Sequence, residues 1–418
     1  MTKKITTTIL VIIILVAVGV LIGFLIIKDT PQGQSVEETV KNYFPFGKVP
    51  VNDGAINNQS GSGNLGGETA PALSTIPRLR KISDSPVAGA TVMETPLGTT
   101  TIITIRYIER ATGNVYDAKI GSVEPTRISN TTIPKIYEAL WALGGDTVII
   151  RNLRDNGEDI QTLSAKLSRQ TGTSSDPSLK QLTGTFLPFN IKEVVVSPSG
   201  KRLFYLLENA DGATGIISNT DGSSATKTFD SPLGEWLASW PNENTITLAT
   251  KPAADTDGFL YFLNSKTGKL DGVFGKKSGL TALVSPDTAR VLYAEGSRGG
   301  ILTKIFAVKD GADNSLQLRT LPEKCVWSKK EVTFYCGVPR AVAPLDYPEE
   351  WYQGLVSFSD DIWKINGITG SSTKVADISE PSGAEIDVIK PILTAKEDYL
   401  IFINKKDSAL WSLRIAEN

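Results

Sequence analysis

The chain has 418 residues, with 43 Lys and Arg against 45 Asp and Glu, and no histidine. The balanced charge argues against a nucleic-acid binder, and the missing imidazole excludes Ser-His-Asp and Cys-His catalysis, His-ligated zinc and His proton shuttling. Two cysteines are too few for a Cys-only zinc site or an iron–sulfur cluster, while 37 Gly and 22 Pro suit many short strands and turns.

Residues 1–7 form a short polar tail. Residues 8–27 (TILVIIILVAVGVLIGFLII) carry no charge, and about 20 apolar residues at a helical rise span a ~30 Å hydrocarbon core. A cleaved signal peptide is the rival reading, but this run is longer than a signal's apolar region and ends at Ile27-Lys28 without a small-residue cleavage site. No cysteine follows it, which removes a lipoprotein. The segment is therefore expected to be an uncleaved signal anchor. Lys3 and Lys4 precede it, while Lys28 and Asp29 cancel after it, so the positive-inside rule puts the N-terminus in the cytoplasm and the rest outside. Localisation is expected at the cell membrane, with the C-terminal domain extracytoplasmic.

Residues 28–77 read as a flexible stalk. The stretch 51–67 is rich in Asn, Gly and Ser and has little apolar surface to offset ordering. Tyr43, Phe44 and Phe46 make an aromatic knot within it, readable as a docked segment or as a partner motif.

From residue 78 to 418 short β-branched and aromatic runs alternate with turn residues, an all-β texture. One unit recurs: an apolar strand, a tight Ser/Pro/Gly/Asp turn, and a second apolar strand. It is clearest in 193–207 (EVVVSPSGKRLFYLL) and 281–294 (TALVSPDTARVLYA), and weaker in 137–152, 236–249, 325–336, 387–404 and 88–109. Ser197, Trp240, Ser285 and Ser328 mark the turns at intervals of about 44 residues, the length of a four-stranded propeller blade. Seven copies predict a seven-bladed β-propeller, with six or eight blades as alternatives. In the copy beginning at 281, the third strand is expected at 301–308 and the fourth at 315–321. The last copy holds only three strands, ending at 409–415, and an orphan strand at 78–83 precedes the first. That orphan is expected to complete the last blade, closing the ring and removing a free sheet edge.

The Ser-Pro-Ser/Asp hairpins resemble TolB-like and WD40-like (PD40) propeller repeats of bacterial envelope proteins, over roughly residues 78–418. The layout also resembles membrane-anchored propeller proteins of small-genome bacteria. The resemblance implies a propeller fold and an envelope location. It brings no catalytic residue with it.

Cys325 and Cys336 flank one hairpin and stand opposite each other if its turn centres on Lys330-Glu331. A non-hydrogen-bonded antiparallel pair is close enough for a disulfide, and the alternative is two buried thiols. An excess of about 22 residues within 338–360 marks the largest insertion. Tyr347, Trp351, Tyr352, Asp360, Asp361 and Trp363 lie in or beside it. Aromatics with carboxylates could grip a sugar or a protein, and the plainer reading is a plug over one face of the ring. Glu349-Glu350 and Asp360-Asp361 are the candidate acid pairs, but neighbours on one strand point to opposite faces and make poor dyads. The turns Asp255-Thr-Asp-Gly258 and Asp310-Gly-Ala-Asp-Asn314 lack a full calcium-loop series and read as ordinary turns.

The resulting expectation is a binding or scaffold module of the cell envelope with a protein or glycan partner. No enzymatic activity, catalytic residue, metal or cofactor is expected. The alternatives are a glycan-active envelope enzyme and an assembly factor of a secretion or pilus machine.

Overall fold

The computed structural model describes residues 76–142, 144–154, 159–169 and 178–416. The expected anchor at 8–27 and the stalk up to residue 75 lie outside them. No helix among the described residues is long and apolar enough to cross a membrane.

Seven four-stranded antiparallel sheets form the propeller. From innermost to outermost strand, blade 1 is Val87–Leu97, Thr100–Glu109, Val115–Lys119 and Thr126–Arg127. Blade 2 is Ile136–Trp141, Thr147–Leu153, Ile160–Arg169 and Lys180–Phe186. Blade 3 is Ile191–Val196, Arg202–Asn209, Gly212–Asn219 and Thr226–Ser231. Blade 4 is Trp236–Asn242, Thr245–Thr250, Asp257–Asn264 and Leu270–Ser278. Blade 5 is Thr281–Val284, Arg290–Ser297, Gly300–Ala307 and Asp313–Ser315. Blade 6 is Cys325–Trp327, Thr333–Pro339, Asp360–Asn366 and Ser372–Asp377. Blade 7 is Val388–Leu393, Tyr399–Asn404 and Leu410–Arg414, completed by Leu79–Lys81 from the start of the domain.

The marker residues explain why the repeat is visible. Ser197 Oγ accepts the backbone N–H of Arg202 at 3.1 Å, and Ser285 Oγ that of Arg290 at 2.9 Å. Ser328 Oγ accepts those of Lys330 and Glu331, both at 3.0 Å, and Thr394 Oγ1 that of Tyr399 at 3.1 Å. A short hydroxyl side chain thus satisfies turn donors that the hairpin leaves free. The same turns tie neighbouring blades: Glu243 accepts from Ser199 N at 2.7 Å, and Asn242 Nδ2 donates to Pro286 O at 3.0 Å.

The core lies between blades. Phe204 and Leu206 of blade 3 pack with Trp236, Ile246 and Leu248 of blade 4. Leu292 and Ile305 of blade 5 meet Trp327 and Phe334 of blade 6. Ile401, Ile403 and Leu410 of blade 7 meet Val87, Ile105 and Tyr107 of blade 1. That last layer closes the circle.

The closing strand pairs Leu79 with Leu413, Arg80 with Ser412 and Lys81 with Trp411. Ile82 N donates to Leu410 O at 2.7 Å, and Leu410 N returns a bond to Ser83 Oγ at 2.9 Å. Arg80 is buried and its guanidinium donates to the carbonyls of Ser122 and Lys119 in blade 1. One short strand therefore joins both neighbours of the seam.

One expected strand is displaced. The fourth strand of blade 5 is Asp313–Ser315, not 315–321. Leu316 N bonds Thr303 O at 2.9 Å, Thr320 N bonds Thr303 Oγ1 at 2.8 Å, and Leu321 is buried. The segment 316–321 crosses from the outer edge of blade 5 to the centre of blade 6, and Thr303 meets its donors on the way.

Cys325 and Cys336 form a disulfide, with Cα atoms 4.1 Å apart in a directly opposed pair. Deleting residues 78–84 should lower the melting temperature far more than reducing this disulfide, whose short loop is worth at most ~3 kcal/mol. Scanning calorimetry of the two preparations compares them, and a deletion variant that melts like the parent would refute closure by this strand.

Candidate functional site

The insertion is the connection 340–359 between the second and third strands of blade 6. It holds one short helix, Glu349–Tyr352. Tyr347, Trp351 and Phe358 are buried with Ala294, Ile301 and Leu321. A Cβ at Gly296 would meet Tyr347 O at 2.2 Å, so only glycine lets the insertion seat against blade 5. Glu349 accepts from Ala254 N in blade 4, and Tyr352 donates to Glu323. The insertion therefore covers the channel mouth above blades 4 to 7, as the plug reading expected.

The six residues expected as a partner surface are placed differently. Tyr347 is 0% exposed, Trp351 3%, Asp360 0% and Asp361 7%. Asp361 pairs with Arg340 at 2.8 Å and Lys374 at 2.7 Å, and Trp363 is half-buried against blade 6. Side chains so enclosed do not face a partner, and the expectation is corrected accordingly. Tyr352 alone keeps an exposed face, 37%. Glu349-Glu350 lies on the helix, not on a strand, and Asp360 and Asp361 have separate ion-pair partners.

Above blades 2 to 4 the mouth stays open as a cleft of about 690 Å³. Tyr137, 52% exposed, and Phe189, 51% exposed, stand in its lining. Glu138, Arg151, Glu193 and Lys251 supply charge. A second, more apolar cavity of about 460 Å³ adjoins it, lined by Trp141, Trp240, Ile392 and Lys390. Leu140 and Val195 line both, so the two form one funnel.

Bulges aim the charged residues. The innermost strands slip register between Ile136 and Glu138 in blade 2, and between Ile191 and Glu193 in blade 3. Blade 1 slips at the equivalent place, between Val87 and Gly89. An extra residue at a bulge re-aims the side chain after it. Gly89 is needed there, since a Cβ would lie 1.9 Å from Ala139 O. Blade 7 slips between Ile389 and Ile392, and Lys390 sits in that slip with φ of 49°, a left-handed conformation costly for a residue with a Cβ.

The outcome is a bridge across the channel. Lys390 Nζ lies 2.7 Å from Glu138 Oε1, and Arg151 Nη1 lies 3.2 Å from Glu138 Oε2. Arg151 also donates to the carbonyls of Ile191 at 3.2 Å and Lys192 at 3.0 Å, fastening blade 2 to blade 3. Burial pushes the Glu138 carboxyl up, but Lys390 and Arg151 outweigh it and hold it below the usual range. Glu193 has the opposite balance. Burial, then the charge of Glu138, pushes it up to about 7, against the pull of Arg151. Burial raises Tyr352 well above the ordinary phenol, with Glu323, Glu193 and Glu349 adding to it. Two carboxyls of unlike acidity thus share the funnel. Among the described residues no group of three or more Cys, Asp or Glu is placed to hold a metal ion.

No protein-family model matches the chain, and no curated protein matches it by sequence. The likeness to TolB-like propellers is one of fold. An oligogalacturonate lyase in complex with manganese is 10% identical over 79% of this chain and 97% of its own, with a TM-score of 0.48. TolB of Acinetobacter baumannii is 8% identical over 78% and 79%, with a TM-score of 0.40. Hydrazine synthase of Kuenenia stuttgartiensis is 12% identical over 75% and 93%, with a TM-score of 0.48. The expectation that this chain is not an enzyme is corrected, because the solved structures similar to it include two titled as oligogalacturonate lyases.

Sequence reasoning missed Glu138, Glu193, Arg151 and Lys390. The available signal was the alignment of first strands, in which Gly89, Glu138 and Glu193 occupy one position of three successive repeats.

The raised Glu193 carboxyl has a consequence for stability. The folded chain binds its proton up to about 7 while the unfolded chain releases it near 4.5. Its contribution is full below the unfolded value and is lost as pH rises through the folded one. Glu193→Gln should remove this loss, so the variant should gain in melting temperature on the parent between pH 5 and about 8. Parallel melting curves across that range would contradict the placement.

Proposed function

We propose that the protein is a single-pass, membrane-anchored β-propeller held outside the cytoplasm, and that its half-covered channel mouth binds a glycan of the cell envelope. The charge-free run 8–27 and the preceding Lys3 and Lys4 support the anchor and its orientation. The Cys325–Cys336 disulfide supports an oxidising compartment. The observation that carries the ligand reading is the open half of the funnel. Exposed Tyr137 and Phe189 offer flat apolar faces for sugar rings, and Glu138, Arg151 and Glu193 offer fixed hydrogen-bonding groups beneath them.

A second reading has its own observation. An ionised Glu138 beside a Glu193 that titrates near neutrality has the ingredients of acid–base chemistry on a bound glycan. Release of product from envelope glycans, abolished by Glu193→Gln while binding persists, would favour this reading.

Binding itself is tested with the purified protein on an array of envelope glycans. Tyr137→Ala and Phe189→Ala should each weaken the best ligand about tenfold, the effect of losing ~1–2 kcal/mol at an aromatic contact. Retained affinity in both variants would move the ligand elsewhere. Protease added to wall-permeabilised cells should release the propeller and leave a small membrane stub. A mature chain lacking 1–27 would instead indicate a cleaved signal.

A further inference from the structure

Beneath the insertion lies a group of ionisable side chains that the funnel does not use. Lys324 is 0% exposed and belongs to the 3-10 turn Pro322–Lys324 that leads into blade 6. Its Nζ bonds Asp387 Oδ1, lies 2.7 Å from Asp360 Oδ2, and donates to Val388 O at 3.3 Å. The rings of Phe358 and Trp351 stand 5.0 and 5.5 Å from it. Both carboxylates are fully buried, so the Lys324 ammonium faces two anions beside aromatic rings, with Lys405 Nζ also 5.1 Å from the Trp351 ring.

The remaining oxygens are arranged unequally. Asp387 Oδ2 accepts Trp351 Nε1 at 2.9 Å and Phe358 N at 3.0 Å. Two N–H donors on one oxygen are what stabilise the oxyanion of a tetrahedral acyl intermediate. Asp360 Oδ2 accepts Val388 N at 2.7 Å in addition to Lys324, while its Oδ1 is buried without a partner. An amine, a carboxyl carbon with a polarised oxygen, and a second carboxyl touching the amine are therefore held together in full burial.

We propose that Lys324 and Asp387 become joined by an intramolecular amide bond, with Asp360 carrying the protons. Asp360 takes a proton from the Lys324 ammonium and passes it to Oδ1 of Asp387. The neutral Nζ then attacks Cγ of Asp387, and the charge gathers on Oδ2 against the N–H groups of Trp351 and Phe358. A second proton moves from the nitrogen through Asp360 to Oδ1, the Cγ–Oδ1 bond breaks, and one water leaves. The nitrogen keeps one hydrogen, Asp360 ends as it began, and no oxidant or cofactor is consumed. Burial, opposed by Lys324 and aided by Asp387, pushes Asp360 up to about 6, which suits a group that must hold a proton in transit. The bond would tie the entry of blade 6 to the entry of blade 7, one residue from the disulfide at Cys325.

Peptide mapping of the purified full chain, reduced, alkylated and digested with trypsin, tests this. Trypsin does not cut after an acylated lysine. The expected product is a branched peptide joining 320–329 to 375–396, lighter than the two together by one water. Asp360→Ala keeps both reacting residues and should give separate peptides 320–324 and 375–396. Separate peptides from the folded parent would overturn the proposal. A branched peptide from Asp360→Ala would overturn the role of Asp360. If that variant does not fold, the parent's map still decides whether the bond exists.

Discussion

A ring of sheets is stable only if its two ends meet, and here the meeting depends on a three-residue strand. Leu79–Lys81 lies at one end of the folded region and pairs with Leu410–Arg414 at the other. Open, blade 7 would present an unpaired edge and the layer between blades 7 and 1 would be exposed to water. Closed, every blade is packed on both sides, and positions far apart in sequence gain a fixed separation. The Lys390–Glu138 pair depends on this closure, since its partners are 252 residues apart and meet only because the circle is complete. A functional geometry across the channel is thus a property of the closed ring, not of any one blade.

The frame was legible because its signals are local. A hairpin turn needs an acceptor for its free donors, and in blades 3, 5, 6 and 7 a Ser or Thr at one place supplies it, so the repeat prints its period in the sequence. The cysteine pair was legible for the same reason, as register in a short hairpin is set by its turn. The orphan strand at 78–83 was readable by count, because a closed propeller needs a fourth strand for every blade.

The site was harder to read because its determinants are non-local or break the periodicity. Glu138 and Glu193 come directly after bulges, and one extra residue reverses the face that simple alternation assigns. Lys390 adopts a left-handed backbone that nothing in Val388–Leu393 announces. The insertion misled for another reason. A loop rich in Tyr, Trp and acids has the composition of an exposed recognition surface, and only partners elsewhere in the chain turn it inward. For Asp387 the decisive partner is Lys324, 63 residues earlier, and for Trp351 it is Asp387.

Buried charge seldom adds net stability, because desolvating the ions costs about as much as pairing them returns, but it does penalise every arrangement that leaves one unpaired. Before any amide forms, Lys324, Asp360 and Asp387 are held to one another in this way at the entries of blades 6 and 7. Asp387 Oδ2 accepts from Trp351 and Phe358, so the insertion cannot lift without stripping that oxygen of both N–H donors. The close approach of Tyr347 to Gly296 fixes the same segment from blade 5. Anchored at both places, the insertion covers one part of the mouth and leaves the cleft above blades 2 to 4 open. That asymmetry gives a sevenfold ring one face on which covered and uncovered blades differ. The charged residues aimed by bulges, Glu138 and Glu193, belong to blades beneath the uncovered part.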